Sequence, residues 1–482
     1  MLNINDFSFT YSGQLDPALN HVSLRVRPGE AVVVTGKSGC GKTTLSRAVN
    51  GLIPELYEGQ EEGSCQVAGL EAGAVPIFQL SEQVGSVFQN PKTQFFTTDV
   101  TSELAFPLEN MGLGREQIAQ RLSEVADLFG ISHLLDRSMF ALSGGEKQMV
   151  AIASSYMLNP KMLLLDEPSS NLDSESIEML TQVLAKLKGQ GLSLLIIEHR
   201  LYYLNQIADR FVLVDRGQVA GEYSPSQLGQ MGLQERERLG LRAVTKAQEG
   251  QRQPELEANQ TGGSAGEVSL HIESLAYSYK GCDQPALQVD TLDVNNREVI
   301  GIVGHNGAGK STFAKVLTGL IAADKGGRVE LQGQQLSPKD LTRESFLVFQ
   351  DVNYQLFSES VAKELQLGAP RTSSERLGEL AEGLGLTDLL ERSPSTLSGG
   401  QKQRVAVGCA VLSGKRIVIM DEPTSGLDLA HMHQVTQAID YLHALGAIVL
   451  VISHDREFLL QTCTRFVTFD QGHIVADEYH LD

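Results

Sequence analysis

The sequence predicts an α/β fold written twice, as two tandem domains with mainly parallel sheets. Three observations predict it. First, two glycine-rich loops, "GKSGCGKT" (36–43) and "GHNGAGKS" (304–311), each follow an apolar run, "EAVVVTG" and "REVIGIVG". Second, nearly the same heptad occurs twice, "LSGGEKQ" at 142–148 and "LSGGQKQ" at 397–403. Third, the copies keep register. Tyr11 and Tyr279, like Gly36 and Gly304, stand 268 residues apart (304 − 36). Ser143 and Ser398, Asp166 and Asp421, and His199 and His454 all stand 255 apart (398 − 143). One slip of 13 (268 − 255), confined to the interval between loop and heptad, reads as an insertion in the first copy.

Each element has a local reason. "KMLLLDE", "KRIVIMDE", "SLLIIEH" and "AIVLVISH" are apolar on consecutive positions, as parallel strands covered on both faces are. Between loop and heptad, "TSELAFPLEN", "REQIAQRLSEVADLFG" and "SERLGELAEGLGLTDLL" have helical periodicity. This predicts a helical subdomain over about 97–154 in a first domain, 1–244, and over about 358–409 in a second, 268–482. Residues 245–267 are poor in large apolar side chains and read as a flexible linker, with a charged helix conceivable in the first part of 234–267.

Composition narrows the function. Of 482 residues, 39 are Lys or Arg and 59 are Asp or Glu, a net charge of −20, which argues against a nucleic-acid coat. The five cysteines, Cys40, Cys65, Cys282, Cys409 and Cys463, lack the spacing of a disulfide framework or zinc ribbon and read as reduced thiols. The N-terminal stretch shows no signal-peptide pattern, and apolar runs such as "GAIVLVI" are strand-sized, so action at a membrane would go through a partner.

The loops fit G-x-x-x-x-G-K-[ST]. Gly36, Gly39 and Gly41, and Gly304, Gly307 and Gly309, would let backbone N–H groups curl around phosphate at a helix N-terminus. Lys42 and Lys310 would reach the β- and γ-phosphates of a nucleotide. Thr43 and Ser311 would set a hydroxyl on Mg2+, and Thr44 and Thr312 follow in the same cradle. Asp166 and Asp421 end apolar strands, where parallel sheets line ligand crevices, and would hold the magnesium shell. Glu167 and Glu422 would orient the attacking water; the alternative is an acidic pair capping the next helix. In the heptads, Ser143–Glu146 and Ser398–Gln401 are capping boxes. With Gly144, Gly145, Gly399 and Gly400 these helix N-termini are also anion sites, and since each domain already has a phosphate loop, the anion they meet would belong to the other copy.

Taken together, these residues resemble the nucleotide-binding domain of ATP-binding cassette (ABC) proteins, over nearly the whole chain outside the linker. The resemblance implies two tandem P-loop NTPase domains, each a RecA-like core with a helical subdomain. It implies stacking of adenine on Tyr11 and Tyr279, Q-loop glutamines Gln89 and Gln350 at the metal and attacking water, and switch histidines His199 and His454. It implies D-loops "SSNLD" (169–173) and "TSGLD" (424–428), with Asp173 and Asp428; Asn171 departs from the usual glycine. It implies head-to-tail pairing of the two domains within one chain. Lys42 would then share an ATP with Ser398 and Gly400, and Lys310 with Ser143 and Gly145. A short flexible tether would make that encounter intramolecular, at an effective concentration on the order of millimolar.

The segment after the first Q-loop glutamine, "VFQNPKTQFFTTDVTSELAFPLEN", and "IIEHRL" (196–201) are similar to energy-coupling-factor (ECF) transporter ATPases; "VFQDVNYQLFSESV" matches more weakly. That resemblance implies a motor on the cytoplasmic face of the membrane, docked to a transmembrane ECF-type subunit and a substrate-capture subunit, driving uptake of a vitamin or metal ion. No nucleic acid is expected. "ISHDREFL" (452–459) resembles ribosome-binding ABC-F factors, the rival reading. Cys40, beside Lys42 and near a helix N-terminus, is expected to ionise more readily than a free thiol.

Overall fold

The computed structural model describes residues 1–170, 172–250, 268–281, 284–296, 298–324, 326–369 and 371–479. The linker residues 251–267, Asn171 of the first D-loop and Cys282 lie outside the described residues. Two compact units emerge, Met1–Gln248 and Glu249–Asp482.

In the first unit the central sheet has six strands, in the order Gln218–Tyr223, Arg210–Asp215, Ala31–Thr35, Ser193–Ile197, Met162–Asp166, Val84–Val87. All neighbours run parallel except the Gln218–Tyr223 edge. The continuous apolar runs are explained by burial on both faces. Val32, Val34, Leu164, Leu195 and Val214 point into one core with Leu45 and Val49. Val33, Leu163, Leu165, Leu194 and Leu213 point into the other with Val150 and Ile152 of the helix Gly144–Tyr156. A four-stranded antiparallel sheet built on Leu2–Tyr11 closes the first core.

The second unit repeats this plan. Its six strands are ordered Ser345–Val348, Ile417–Asp421, Ile448–Ile452, Val299–Val303, Arg465–Asp470, His473–Glu478. The helical segments comprise Val100–Asn110, Arg115–Phe129 and Gly144–Tyr156 in the first unit, and Val361–Leu367, Ser374–Gly383 and Gly399–Ser413 in the second. The helices that carry the heptads end at Tyr156 and Ser413.

The start of the linker differs from the expectation at 245. Residues Lys246–Glu249 are helical and Gln248 is buried. Gln248 Nε2 donates to the carbonyls of Leu228 (2.8 Å) and Met231 (3.0 Å), and its Oε1 accepts from Val244 N (2.9 Å). A polar side chain can be buried here because its amide is satisfied on both sides. Composition alone, being polar, could not distinguish this latch from a tether.

Candidate functional site

The parallel register brings the chemistry to one end of each sheet. Asp166 pairs with Ile197, Val34 with Ile197, and Val87 with Leu165, so the loops after these strands emerge side by side. They carry Gly36–Thr43, Asp166–Glu167, Glu198–His199 and Gln89. The second unit aligns Asp421 with Ile452, Ile302 with Ile452, and Met420 with Val348, with the same result.

Both glycine loops turn directly into helices, Lys42–Val49 and Lys310–Leu317. Gly36 has φ +145°, and a Cβ there would stand 2.1 Å from the carbonyl oxygen of Val214. Gly304 is constrained likewise, 2.2 Å from Phe469 O. Lys42 Nζ donates to the carbonyls of Gly36 and Lys37, both at 2.9 Å. Lys310 Nζ donates to Gly304 O (2.6 Å) and His305 O (2.8 Å). Each ammonium therefore sits inside the arc of its loop, where an anion would rest.

Ser311 Oγ donates to Asp421 Oδ2 at 2.8 Å. Hydroxyl and carboxylate oxygens at this spacing are hard donors suited to Mg2+, which takes its remaining positions from phosphate and water. Among the described residues no group of three or more His, Cys, Asp and Glu side chains is placed to hold a metal by itself. Burial pushes the Asp166 carboxyl up to about 6, against the opposing charges of Lys42 and Arg47, and also raises Asp421. A bound cation would oppose that rise in both and favour the ionised form.

Glu167 accepts from Gln89 Nε2 at 2.7 Å and faces His199 Nε2 at 3.8 Å. Glu422 faces His454 Nε2 at the same 3.8 Å and accepts from Ser453 Oγ at 3.2 Å. So the structure brings acid, histidine and, in the first unit, Q-loop glutamine together. Both glutamates have left-handed backbones, φ +46° and +52°, uncommon for a side chain of this size. Such strain persists only where surroundings impose it, and each is pinned by a 2.8 Å bond from its N–H to the carbonyl of Ile197 or Ile452. Burial, then the neighbouring Asp166 and Glu198, push Glu167 up to about 8. Burial, then Lys42 and Arg242, hold His199 well below its usual range.

The heptad serines are helix caps. Ser143 accepts from Glu146 N and Ser398 from Gln401 N, and the box is completed from the other side in both. Gly145 is required by packing, since a Cβ would stand 2.1 Å from Ser176 Oγ. At Gly400 the contact is softer, since a Cβ would stand 2.9 Å from Leu427 Cδ2, the end of a side chain that can shift. Around Gly399 a Cβ would meet nothing within 4 Å, so this position leaves open space at a helix N-terminus. Asp173 and Asp428 cap the helices Ser174–Gly189 and Leu429–Ala444 through Ser176 N (2.9 Å) and His431 N (2.8 Å).

The tyrosines are less alike than their spacing implies. Tyr11 is half-buried; its hydroxyl accepts from Arg47 (2.8 Å) and meets Thr44 Oγ1 at 3.1 Å, and Phe9 packs edge-on to its ring. Tyr279 is exposed and meets Thr312 Oγ1 at 3.3 Å. Thr43 is exposed, as are Gln89 and Gln350. The expectation for Cys40 is overturned. The thiol is buried, and desolvation raises its pKa although Lys42 Nζ lies 3.7 Å from the sulfur. Exclusion from water disfavours the thiolate more than the ammonium favours it.

Several residues at this end escaped the sequence reading. Glu198 and Ser453, each just before the switch histidine, both face the site. Arg242 is buried near His199, and Gly240 lies against the phosphate loop, where a Cβ would stand 2.6 Å from Lys37 Cγ. Glu103 and Glu364, buried at the start of helices, accept backbone N–H groups from Phe96 and Thr97 and from Phe357 and Ser358. Comparing the two copies position by position would have found the first pair. The others depend on folding.

Known proteins supply the same outline. The sequence profile described as ABC transporter matches residues 19–170 and 287–425. A protein of Treponema denticola, named provisionally as an ABC transporter ATP-binding protein, is 42% identical over 99% of this chain and 96% of its own length. A second from the same organism, named alike, is 40% identical over 99% and 97%. Among solved structures, a ribosome-bound assembly of archaeal Pelota and ABCE1 contains a chain similar to this one over 98% of its length and 78% of the other's, with 25% identity and a TM-score of 0.72.

Proposed function

Because this chain belongs to the ABC transporter family of ATP-hydrolysing proteins, we propose that it is the motor of a membrane transporter, of the ECF type, driving uptake of a vitamin or metal ion. The observation that carries this reading is a pair of aromatic docking loops. Phe96 is 75% exposed and stacks on Phe106 at 5.2 Å, while Tyr354 and Phe357 are 83% and 75% exposed. These loops follow the Q-loop glutamines and are held in place by the buried Glu103 and Glu364. Exposed apolar side chains on a rigid support suit a partner, not solvent. The transporter names carried by the Treponema denticola relatives support the same reading. Among the described residues no helix is long and apolar enough to cross a membrane, so the partner would supply the membrane segments.

Within the motor, each ATP would lie between one copy's glycine loop and the other copy's heptad, with Mg2+ on Thr43 and Asp166 or Ser311 and Asp421. Gln89 and Gln350 would reach metal and water, Glu167 and Glu422 would serve as bases, and His199 and His454 would hold the γ-phosphate. The open space at Gly399 supports an approaching anion.

A second reading, ribosome association, draws on "ISHDREFL" and on the ABCE1 similarity. The two are separated by sedimenting extracts of the native cell. The transporter reading expects the chain in the membrane fraction, and expects Phe96→Asp with Phe357→Asp to release it while basal ATP hydrolysis persists. Co-sedimentation with ribosomes, unchanged by these substitutions, would overturn it.

A further inference from the structure

The segment that carries each switch histidine is tied to the segment leading into its own D-loop, and the tie is built differently in the two copies. In the first copy Ser169 Oγ donates to Glu198 Oε1, Tyr203 OH donates to the same oxygen (3.2 Å), and the His199 N–H donates to Glu198 Oε2 (3.2 Å). In the second, the residue matching Glu198 is Ser453, which cannot play that part. Instead Thr424, the counterpart of Ser169 (424 − 169 = 255), donates through Oγ1 to Asp455 Oδ2 at 3.2 Å. Asp455 matches Arg200, and Phe458 matches Tyr203. The hydroxyl has kept its place while the carboxylate has moved from the residue before the histidine to the residue after it. Where the carboxylate has moved, the tyrosine that served it has lost its hydroxyl.

We propose that Glu198 is a positioning residue of the first-copy site, bracing the switch segment at His199 against the D-loop segment at Ser169, and that Asp455 is its transposed equivalent in the second copy. Three features support it. Both carboxylates are buried, at 2% exposure, as are Ser169 and Thr424 at 1%. A buried carboxylate is costly unless it is well satisfied, and each is: Glu198 by Ser169, Tyr203 and the His199 N–H, Asp455 by Thr424 on one oxygen and, on the other, by the Phe458 N–H of the helix it caps. Each tie also spans the strand ends between which His199 faces Glu167, or His454 faces Glu422, at 3.8 Å. Finally, Ser453 is free to do something else: its hydroxyl reaches Glu422 Oε2. Loss of the tie would let the histidine and the D-loop shift independently, and small misplacements of groups around a reacting phosphate are expensive.

The inference rests on the proposed roles of Glu167 and His199, so its test has two arms. The full chain, the Glu198→Ala variant, and a Glu198→Ser, Arg200→Asp, Tyr203→Phe triple that copies the second-copy arrangement are compared. In the first arm Mg-ATP turnover is measured. Glu198→Ala lowers kcat at least about two-fold, since only the second copy's site remains fully placed, and KM stays within about two-fold. The triple restores kcat. In the second arm backbone amide exchange is followed over residues 168–173 and 199–204. Glu198→Ala speeds it by about ten-fold or more, and the triple returns it to the parent level. Thermal unfolding of each variant shows whether the fold is intact. Unchanged exchange in Glu198→Ala, or a folded triple that restores neither exchange nor kcat, overturns the brace. Parent-like turnover by His199→Ala would sink the histidine's proposed role instead, and the exchange arm would still decide the brace.

Discussion

Removing the Glu103 carboxylate tests how the first docking loop is held. One oxygen, Oε2, accepts from Phe96 N (3.1 Å), Thr97 N (2.9 Å) and Thr97 Oγ1 (2.9 Å), in a side chain only 2% exposed. Hydrogen bonds to a charged group contribute roughly 1.5–3 kcal/mol each, but that sum is not the net effect. Thr97 Oγ1 has a second acceptor, Asp99 O at 3.1 Å, and alanine removes the cost of burying a carboxylate. What remains is two part-buried amides without their acceptor, so Glu103→Ala should destabilise the first unit by about 2–3 kcal/mol. For a unit of this size that lowers its melting temperature by roughly 5–10 °C. Glu103→Gln keeps a carbonyl acceptor and should lose about 1 kcal/mol. Calorimetry on the full chain should show one transition moving, and Glu364→Ala, which strips the matching bonds from Phe357 and Ser358, should move the other. A Glu103→Ala shift below about 1 °C would refute the claim that this carboxylate anchors the loop.

The Glu167→Gln, Glu422→Gln double variant should lose turnover by roughly 10²–10⁴-fold while still binding ATP, measured as a trapped nucleotide after gel filtration; rapid turnover would refute the bases. Lys42→Ala with Ser398→Arg should injure one site and Lys42→Ala with Ser143→Arg both; equal residual ATPase activity with folded proteins would count against head-to-tail pairing. Cys40 should react slowly with maleimide even without nucleotide, because burial holds its thiol protonated. Peptide mapping that finds Cys40 modified as fast as an exposed thiol would contradict this.

Local chemistry determined much of this protein before folding was considered. The glycine loops, the strand-end acids and the repeated heptads are short, contiguous patterns whose spacing is set by backbone geometry, so they could be read directly. Doubling the pattern separated a site from an accidental turn. The sequence did not disclose contacts between segments far apart in the chain. Whether Cys40 is ionised depends on the core of Leu45, Val34 and Val214 closing around it, which only packing decides. That Gln248 is a latch depends on the carbonyls of Leu228 and Met231 being brought within reach of one amide at a helix end. The capping boxes were legible because cap and box lie three residues apart, whereas the Ser169–Glu198 tie joins residues 29 apart and needs two parallel strands in register to bring them together. Position-by-position comparison sets Glu198 against Ser453 and Arg200 against Asp455, but does not show that either carboxylate bonds the hydroxyl of the segment before the D-loop aspartate. A carboxylate on either side of the histidine can reach the same hydroxyl, and only the tertiary structure shows which one does.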